Sequence, residues 1–263
     1  MTIGLQVLGS NATAPSEHGG ASGYLLQTTE GVVLVDSGPG VMLSYFQQGF
    51  ELDQLKAIVL THMHADHSLD MMAWAFRWTF PVVRDPVPVL LPAGETEKLE
   101  RFDDLFGIKS LPTMARPITG NFEVSEMPMD GGRTEFQLAG LALTTFQARH
   151  AVPSAALRFE AEGKTLVFSS DTGDCEGLRE AASGATAFVC EATYLDPREQ
   201  AMAEHGHLTP ALAGEIAASA GVENLILTHL EDPDNGEESV RRAKSAFGSE
   251  KVRLARPRFT FDL

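Results

Sequence analysis

Four residues of metal-binding types lie within six positions of the chain, at His62, His64, Asp66 and His67. Imidazole and carboxylate side chains are poor core residues, and in so short a run they would crowd and repel one another when charged. A divalent cation removes both difficulties, because histidine nitrogens and carboxylate oxygens are the usual ligands of zinc and similar metals. The run therefore predicts a metal site rather than a solvated polar turn.

The local pattern divides these four residues into two pairs. An apolar, strand-like run over Ala57–Leu60 leads into them, and functional side chains often lie where a rigid strand passes into a loop. His62 and His64, two positions apart, can face the same way and share one ion. Asp66 and His67, adjacent on the turn, can then reach a second ion.

Three more candidate ligands stand directly after apolar, strand-like runs elsewhere in the chain. A sheet that presents these strand ends at one edge would bring them to the first four residues. They are His150 after Leu141–Phe146, Asp171 after Thr165–Ser169 and His229 after Asn224–Thr228.

The composition is that of a globular protein, with 43% hydrophobic and 21% charged residues in a chain of 263. That length can bury the core of a single domain over residues 1–263. No apolar run approaches the roughly 20 residues that span a bilayer, so we expect no membrane association.

Two cysteines, Cys175 and Cys190, do not make a disulfide framework and no secretory signal is evident, which together predict a cytoplasmic location. The net charge of −16 makes nucleic acid an unlikely partner, although bound metal ions add positive charge that this count omits.

Strand-like and helical patterns are mixed along the chain, which favours an α+β fold of sheets covered by helices. Residues Glu162–Lys164 predict a hairpin turn. Thr209 before Pro210 predicts a capped helix start, and Gly221 the end of that helix. The predicted strands are Gly4–Leu8, Tyr24–Gln27, Val32–Asp36, Ala57–Leu60, Val87–Leu91, Leu141–Phe146, Ala155–Ala161, Thr165–Ser169, Thr186–Cys190 and Asn224–Thr228. The predicted helices are Leu69–Thr79, Glu95–Phe106, Gly177–Ser183, Pro210–Ala220 and Glu237–Phe247.

The ordered set of candidate ligands resembles the metallo-β-lactamase superfamily over nearly the whole chain. The matching positions are His62-x-His64-x-Asp66-His67, His150, Asp171 and His229, together with the turns at Gly9-Ser10 and Val35–Gly38 and the strand Ser22–Leu26. The resemblance implies a four-layered αββα sandwich with the metals at the edge of its two sheets.

The resemblance also implies a dinuclear site. His62, His64 and His150 would hold one ion, Asp66, His67 and His229 the other, and Asp171 would bridge them. The ions would be divalent, with Zn²⁺ as the first expectation and Mn²⁺ or Fe²⁺ as alternatives. Together they would clamp a hydroxide that acts as the nucleophile of a hydrolase, and Asp66 is expected to take part in catalysis.

A second set of residues bears on the chemistry. The runs Cys190–Thr193 and His205–Thr209 resemble the phosphodiesterase branch that includes the tRNA 3′-end endonuclease RNase Z and the atypical cyclic-nucleotide phosphodiesterases. That branch implies that His207 donates a hydrogen bond or proton to the phosphate and that Glu191 orients it. His205 is the weaker candidate for this role. The plainer interpretation is that His207 merely precedes a capped helix.

The spacing of the motifs bears on the substrate. RNase Z carries a long tRNA-binding arm between the third and fourth motifs, but only twenty residues separate His150 from Asp171 here. We therefore expect a small or cyclic phosphodiester as substrate, and a homodimer, as is common in that branch. The alternatives are a tRNA 3′-end endonuclease without the arm, a carboxyl-ester or lactone hydrolase with Tyr194 as oxyanion donor, and a binding protein without activity. The aromatic run Met71–Trp78 is predicted to pack the core rather than stack on a base, and His18 to lie near the mouth of the site.

Overall fold

The computed structural model describes residues 3–263. In chain order the strands are β1 (Gly4–Asn11), β2 (Gly20–Ala21), β3 (Gly23–Thr28), β4 (Gly31–Val35), β5 (Leu55–Val59), β6 (Pro88–Pro92), β7 (Glu123–Met127), β8 (Arg133–Leu138), β9 (Leu141–Gln147), β10 (Ala155–Ala161), β11 (Lys164–Phe168), β12 (Ala187–Glu191), β13 (Leu225–Thr228), β14 (Val252–Leu254) and β15 (Thr260–Asp262). The helices are α1 (Val41–Gln47), α2 (Ala65–Ser68), α3 (Met71–Thr79), α4 (Thr96–Phe106), α5 (Glu176–Ala182), α6 (Glu199–His205), α7 (Pro210–Ser219) and α8 (Gly236–Phe247).

The strands form two mixed sheets. The first has the order β15-β1-β3-β4-β5-β6-β7, with β2 paired to β1, and the second has the order β14-β13-β12-β11-β10-β9-β8. Within the second sheet β8 to β11 run antiparallel to their neighbours, whereas β11 to β14 run parallel. Parallel strands end at the same edge, so β11, β12 and β13 deliver their C-terminal residues to one place.

Three apolar cores separate four layers. The central core joins residues of both sheets, such as Val7 and Phe159. A second core packs α1, α3 and α4 on the first sheet around Trp74, and a third packs α5, α7 and α8 on the second sheet around Phe188. Each large side chain buried in this way contributes about 1.5–3 kcal/mol. The layering confirms the predicted four-layered αββα sandwich of the α+β class.

Both faces of each sheet are covered, which explains the continuous apolar strands in the sequence. In β4, Val33 and Val35 face the central core while Val32 and Leu34 face the helices. The shared central core agrees with a single domain, and the extent of that domain over residues 1–263 stays a prediction.

Several local predictions are confirmed. The β10–β11 hairpin turns at Glu162 and Gly163, both with positive φ as a two-residue turn requires. The Thr209 hydroxyl accepts the backbone N–H of Leu212 and caps α7. In α3, Trp74 and Trp78 are buried, so the aromatic run packs the core.

Other elements were absent from the sequence prediction. The missed strands β7 and β8 bury only one residue each, so they lack an apolar run. The missed helix α1 buries only Val41 and Tyr45 in seven residues, and α6 buries none of its residues. Strands β14 and β15 have three residues each, too few for a pattern. Across residues 3–263, the helices are too short or too polar to cross a membrane.

Candidate metal centre

The candidate ligands lie where corresponding edges of the two sheets meet. His62 and His64 follow β5 of the first sheet, and Asp66 and His67 lie on the single turn α2. The remaining candidates come from the second sheet: His150 follows β9, Asp171 follows β11 and His229 follows β13.

Backbone hydrogen bonds join the two sheets at this edge. The N–H of Ala155 donates to the Thr61 carbonyl at 3.0 Å, and that of His229 donates to the Ser10 carbonyl at 3.0 Å. The two sheets are therefore held in register beside the ligands. The single edge expected from the strand pattern is formed by two sheets, as the family resemblance implied.

Three histidines of one group converge through defined ring nitrogens, and we call His62, His64 and His150 the three-histidine group. His64 Nδ1 lies 3.1 Å from His62 Nε2 and 3.1 Å from His150 Nε2. Asp171 joins this group, with Oδ2 at 3.8 Å from His62 Nε2. His62 is buried, while His64 and His150 are half-buried and form the more open side of the centre.

Asp66, His67 and His229 form what we call the carboxylate group. His229 Nε2 lies 3.3 Å from His67 Nε2 and 3.2 Å from Asp66 Oδ2. Asp171 belongs here as well, because Oδ1 is 3.4 Å from His67 Nε2 and Oδ2 is 3.4 Å from His229 Nε2. All four side chains are buried. Asp171 thus touches both groups, in the bridging position that the family resemblance implied.

In three of the histidines, the nitrogen on the far side of the ring is held by a partner outside the two groups. His67 Nδ1 bonds to Asp36 Oδ2 at 2.8 Å, and His229 Nδ1 to the Thr193 hydroxyl at 3.0 Å. His150 Nδ1 donates to the Gly206 carbonyl at 3.2 Å. Such partners set the tautomer and the ring orientation of metal-binding histidines.

Asp36 is a further candidate site residue, to which sequence reasoning assigned no role. Its carboxylate accepts the backbone N–H and the hydroxyl of Thr61 at 2.7 and 2.9 Å, in addition to bonding His67. Asp36, Ser170 and His229 all have φ near +60°, a conformation that costs of order 1–3 kcal/mol for residues other than glycine. The sequence signal was present in the acidic turn after β4, although it did not indicate a partner.

The donor set fits a divalent cation. Ligands at the 2.0–2.1 Å typical of zinc are about 3.3 Å apart in a tetrahedral site, and His64 Nδ1 lies 3.1 Å from each of the other two nitrogens of the three-histidine group. Burial, together with the neighbouring imidazoles, lowers the pKa of His64 to about 4 and also lowers that of His150 despite Asp171. Neutral imidazoles have the free lone pairs that metal binding needs.

The carboxylates of the centre are ionised at neutral pH. Burial alone would raise the pKa of Asp171, but His229 and His67 outweigh it and hold that pKa well below its usual range. The pKa of Asp66 is likewise lowered, by its hydrogen bond to His229 and by the charge of His67. The three-histidine group therefore presents neutral nitrogens, whereas in the carboxylate group Asp171 and Asp36 outweigh burial and raise the pKa of His67 well above its ordinary value.

Glu191 and His207 form a pair beside both groups. His207 Nδ1 bonds to Glu191 Oε1 at 2.9 Å, and its ring centroid lies 5.1 Å from that of His150 and 5.9 Å from that of His229. Burial disfavours the imidazolium, but the charge of Glu191 and this hydrogen bond raise the pKa of His207 to about 9. Within residues 3–263, Nε2 of His207 makes no hydrogen bond to another side chain or to the backbone, so it remains available.

Glu191 is buried at the end of β12 and fully engaged. It accepts the backbone N–H groups of Thr172 at 2.8 Å and Leu208 at 3.1 Å, and the hydroxyl of Thr193 at 2.7 Å. These bonds prevent the carboxylate from turning, and they position His207 through it.

The structure separates the remaining candidates. His205 is exposed at the end of α6, outside the groups that could hold a metal in residues 3–263. The ring of Tyr194 lies 5.5 Å from that of His207 and carries the Arg198 guanidinium over its face at 4.7 Å. His18 pairs with Asp234 at 3.2 Å and lines a cavity beside the centre rather than the centre itself.

Comparison with known proteins relates this arrangement to characterised folds. A family model described as a beta-lactamase superfamily domain matches residues 32–230. The ribonuclease Z of Streptomyces avermitilis is 27% identical over 273 residues, covering 90% of this chain and 91% of its own. The metallo-beta-lactamase fold protein YhfI from Bacillus subtilis superposes with a TM-score of 0.85 at 22% identity, over 100% of both chains. The short form of human tRNase Z superposes with a TM-score of 0.78 at 19% identity, over 98% of both chains.

Proposed function

Since this chain belongs to the beta-lactamase superfamily and is a metal-dependent hydrolase, we propose that it is a dinuclear phosphodiesterase acting on a small or cyclic phosphodiester. The observation that carries the proposal is the Glu191–His207 pair, placed against both ligand groups with Nε2 of His207 available. A proton donor beside a metal centre can protonate an alkoxide leaving group as it departs.

The three-histidine group would hold one ion, the carboxylate group the other, and Asp171 would bridge them. Two divalent ions held in this way supply Lewis acidity toward the phosphoryl oxygens and a water whose pKa is lowered to about 7. Asp66 is proposed to contribute to catalysis as well as to ligation. The Oδ2 oxygen of Asp66 accepts the backbone N–H of Thr13 at 2.7 Å. This hydrogen bond ties Asp66 to the loop after β1.

The role proposed for His207 follows from its partners. Glu191 stabilises the imidazolium form of His207, in which Nδ1–H bonds to the carboxylate and Nε2–H can donate to a phosphoryl oxygen or pass its proton to the leaving oxygen. After this transfer, Glu191 holds the neutral imidazole through Nδ1–H and keeps it oriented for reprotonation at Nε2. His207 is in this sense a catalytic residue, and Glu191 is a positioning residue.

The size of the substrate is proposed from the surroundings of the site. Residues between His150 and Asp171 are taken up by β10, β11 and their two-residue turn, which leaves no room there for a protruding arm. A second candidate function is tRNA 3′-end cleavage without the arm, because the similarity to the ribonuclease Z of Streptomyces avermitilis extends over 90% of this chain.

The proposal is tested by comparing leaving groups in the metal-loaded protein. We expect hydrolysis of both bis-p-nitrophenyl phosphate and 3′,5′-cyclic AMP, with His207→Ala lowering kcat by about 10²–10⁴-fold. The loss should be larger for cyclic AMP, because an alkoxide needs a proton more than p-nitrophenolate does. Metal content measured by elemental analysis should not change.

His205→Ala is the matched control, since it removes an exposed imidazole two positions away. Equal losses in the two variants, or release of metal from His207→Ala, would contradict the assignment. Lactones, thioesters and a tRNA precursor in the same assay test the carboxyl-ester and tRNA alternatives, with Tyr194→Phe as the variant for the first of these.

The metal, the oligomeric state and the location are each proposed from a separate observation. Zinc agrees best with the imidazole and carboxylate donors, with Mn²⁺ or Fe²⁺ as alternatives, and elemental analysis decides between them. A homodimer agrees with the exposed apolar side chains of Phe80, Val82 and Val83, and sedimentation measures it. A cytoplasmic location agrees with two free cysteines.

A further inference from the structure

A cavity of about 270 Å³ lies directly beside the metal centre. Its walls include Thr228 and Leu230, the two residues that flank the candidate ligand His229. They also include Ser10, whose carbonyl accepts the His229 N–H at 3.0 Å. The cavity and the centre therefore share the wall formed by the ends of β1 and β13.

Arg256 enters this cavity from the segment that follows β14. Strands β13 and β14 run parallel with Leu227 opposite Leu254, and the N–H of Ala255 continues the pairing to the Leu227 carbonyl at 2.8 Å. Arg256 follows Ala255 directly and lines the cavity together with Thr228 and Leu230, the residues on either side of His229. A cationic side chain thus stands one strand away from a metal ligand, at the same edge of the sheet.

Among the described residues, no carboxylate pairs with the Arg256 guanidinium. Nine other arginines do have carboxylate partners, as in the pairs of Arg198 with Glu231 and Arg242 with Asp196. Within residues 3–263, Arg256 forms no ion pair, although the chain carries a net charge of −16. The nearby His18 is paired with Asp234 at 3.2 Å. An acidic chain that leaves this guanidinium unpaired keeps it available for an external anion.

We propose that Arg256 is a specificity-determining residue that binds a second phosphate group of the substrate in this cavity, next to the phosphodiester cleaved at the metal centre. The inference rests on the proposed function, because it assigns the substrate to phosphodiesters that carry another phosphate. A guanidinium offers a planar fork of donors that matches phosphate oxygens in two parallel hydrogen bonds. The hydroxyls of Ser10 and Thr228, which are hydrogen-bonded to the Ala255 carbonyl and the Tyr24 hydroxyl, line the same cavity.

The test compares two substrates that differ by one group. Thymidine 5′-(p-nitrophenyl phosphate) carries one phosphate, and the same compound with an added 3′-phosphate carries two. We expect the wild-type protein to have a KM about tenfold lower for the second compound, since a charged hydrogen bond of this kind contributes about one decade in affinity. Arg256→Gln should abolish most of this preference, and Arg256→Lys should retain part of it.

Arg253→Gln is the matched control, because Arg253 lies on β14 in the same basic stretch and does not line the cavity. It should keep the preference and the activity of the wild-type protein. A preference that survives in Arg256→Gln, or that Arg253→Gln loses equally, overturns the assignment. So does a wild-type protein that treats the two compounds alike.

A binding measurement separates failure of this inference from failure of the proposed function. If the metal-loaded protein cleaves neither compound, the phosphodiesterase proposal fails. Calorimetric titration of the metal-free protein with thymidine 3′,5′-bisphosphate then decides about the cavity. Binding about tenfold weaker in Arg256→Gln than in the wild-type protein supports the subsite, and equal affinity overturns it.

Discussion

The two ligand groups of the centre differ in charge and in exposure. The three-histidine group presents neutral nitrogens, and His64 and His150 remain half-buried. The carboxylate group is buried throughout, and Asp36 adds a further negative charge behind His67. An ion in the carboxylate group would be held by more opposite charge and less water, so it should be released last. We therefore expect one strand-loop run to supply two sites of unequal strength.

Removing Asp171 should have the largest effect, because it is the side chain that the groups share. We expect Asp171→Ala to lose ions from both groups and to lower phosphodiester hydrolysis on the order of a thousandfold or more. His64→Ala should empty only the three-histidine group. Elemental analysis after gel filtration measures both variants. Two ions retained by Asp171→Ala would show that the groups do not depend on a bridge.

The residues that hold the far ring nitrogens of His67 and His229 allow a second comparison of the two ligand types. Asp36→Asn removes a charged partner of His67, and Thr193→Val removes a neutral partner of His229. We expect the first to weaken metal affinity about 10–100-fold and the second to weaken it less. Competition with a chelator of known affinity measures both. Equal effects would mean that the charge of Asp36 adds nothing beyond orientation.

The smallest expected effect concerns the pKa of His207, which lies beside both groups. In the metal-free protein we expect its imidazole to titrate at about 9, and Glu191→Gln to move that pKa back toward its ordinary value. Because the folded-state pKa is raised, the pair stabilises the protein below pH 6.5, and this stability is lost as the pH rises through about 9. NMR titration of the imidazole, with denaturation at several pH values, measures both. An unchanged pKa in Glu191→Gln would contradict the pairing.

Much of the candidate site was predictable from the sequence because its members follow apolar strands. His150, Asp171 and His229 each come after such a strand, and the parallel ends of β11 and β13 bring two of them together. Glu191 was predictable through its resemblance to known motifs. Asp36 and Arg256 were not, because one acts through His67 and the other depends on the pairing of β13 with a strand of three residues.

Prediction of the fold from sequence was limited in the same way, by elements that have no apolar pattern. Strands covered on both faces have apolar runs that predict them, whereas β7, β8 and α6 are polar and exposed, so no pattern marks them. Residues His205 and His207 could not be ranked firmly by sequence either. Their separation depends on where α6 ends and on the carboxylate that meets His207 from β12.

The sequence by itself determined which donor atoms are available, and it determined that four of them stay together, since six consecutive residues cannot move far apart. Only the tertiary structure decided which ring nitrogen each histidine presents. His64 uses Nδ1 while His62 and His150 use Nε2. His67 and His229 are oriented by Asp36 and Thr193. Ring orientation depends on hydrogen bonds to residues that are distant along the chain, and only the packing of the two sheets brings those residues into contact.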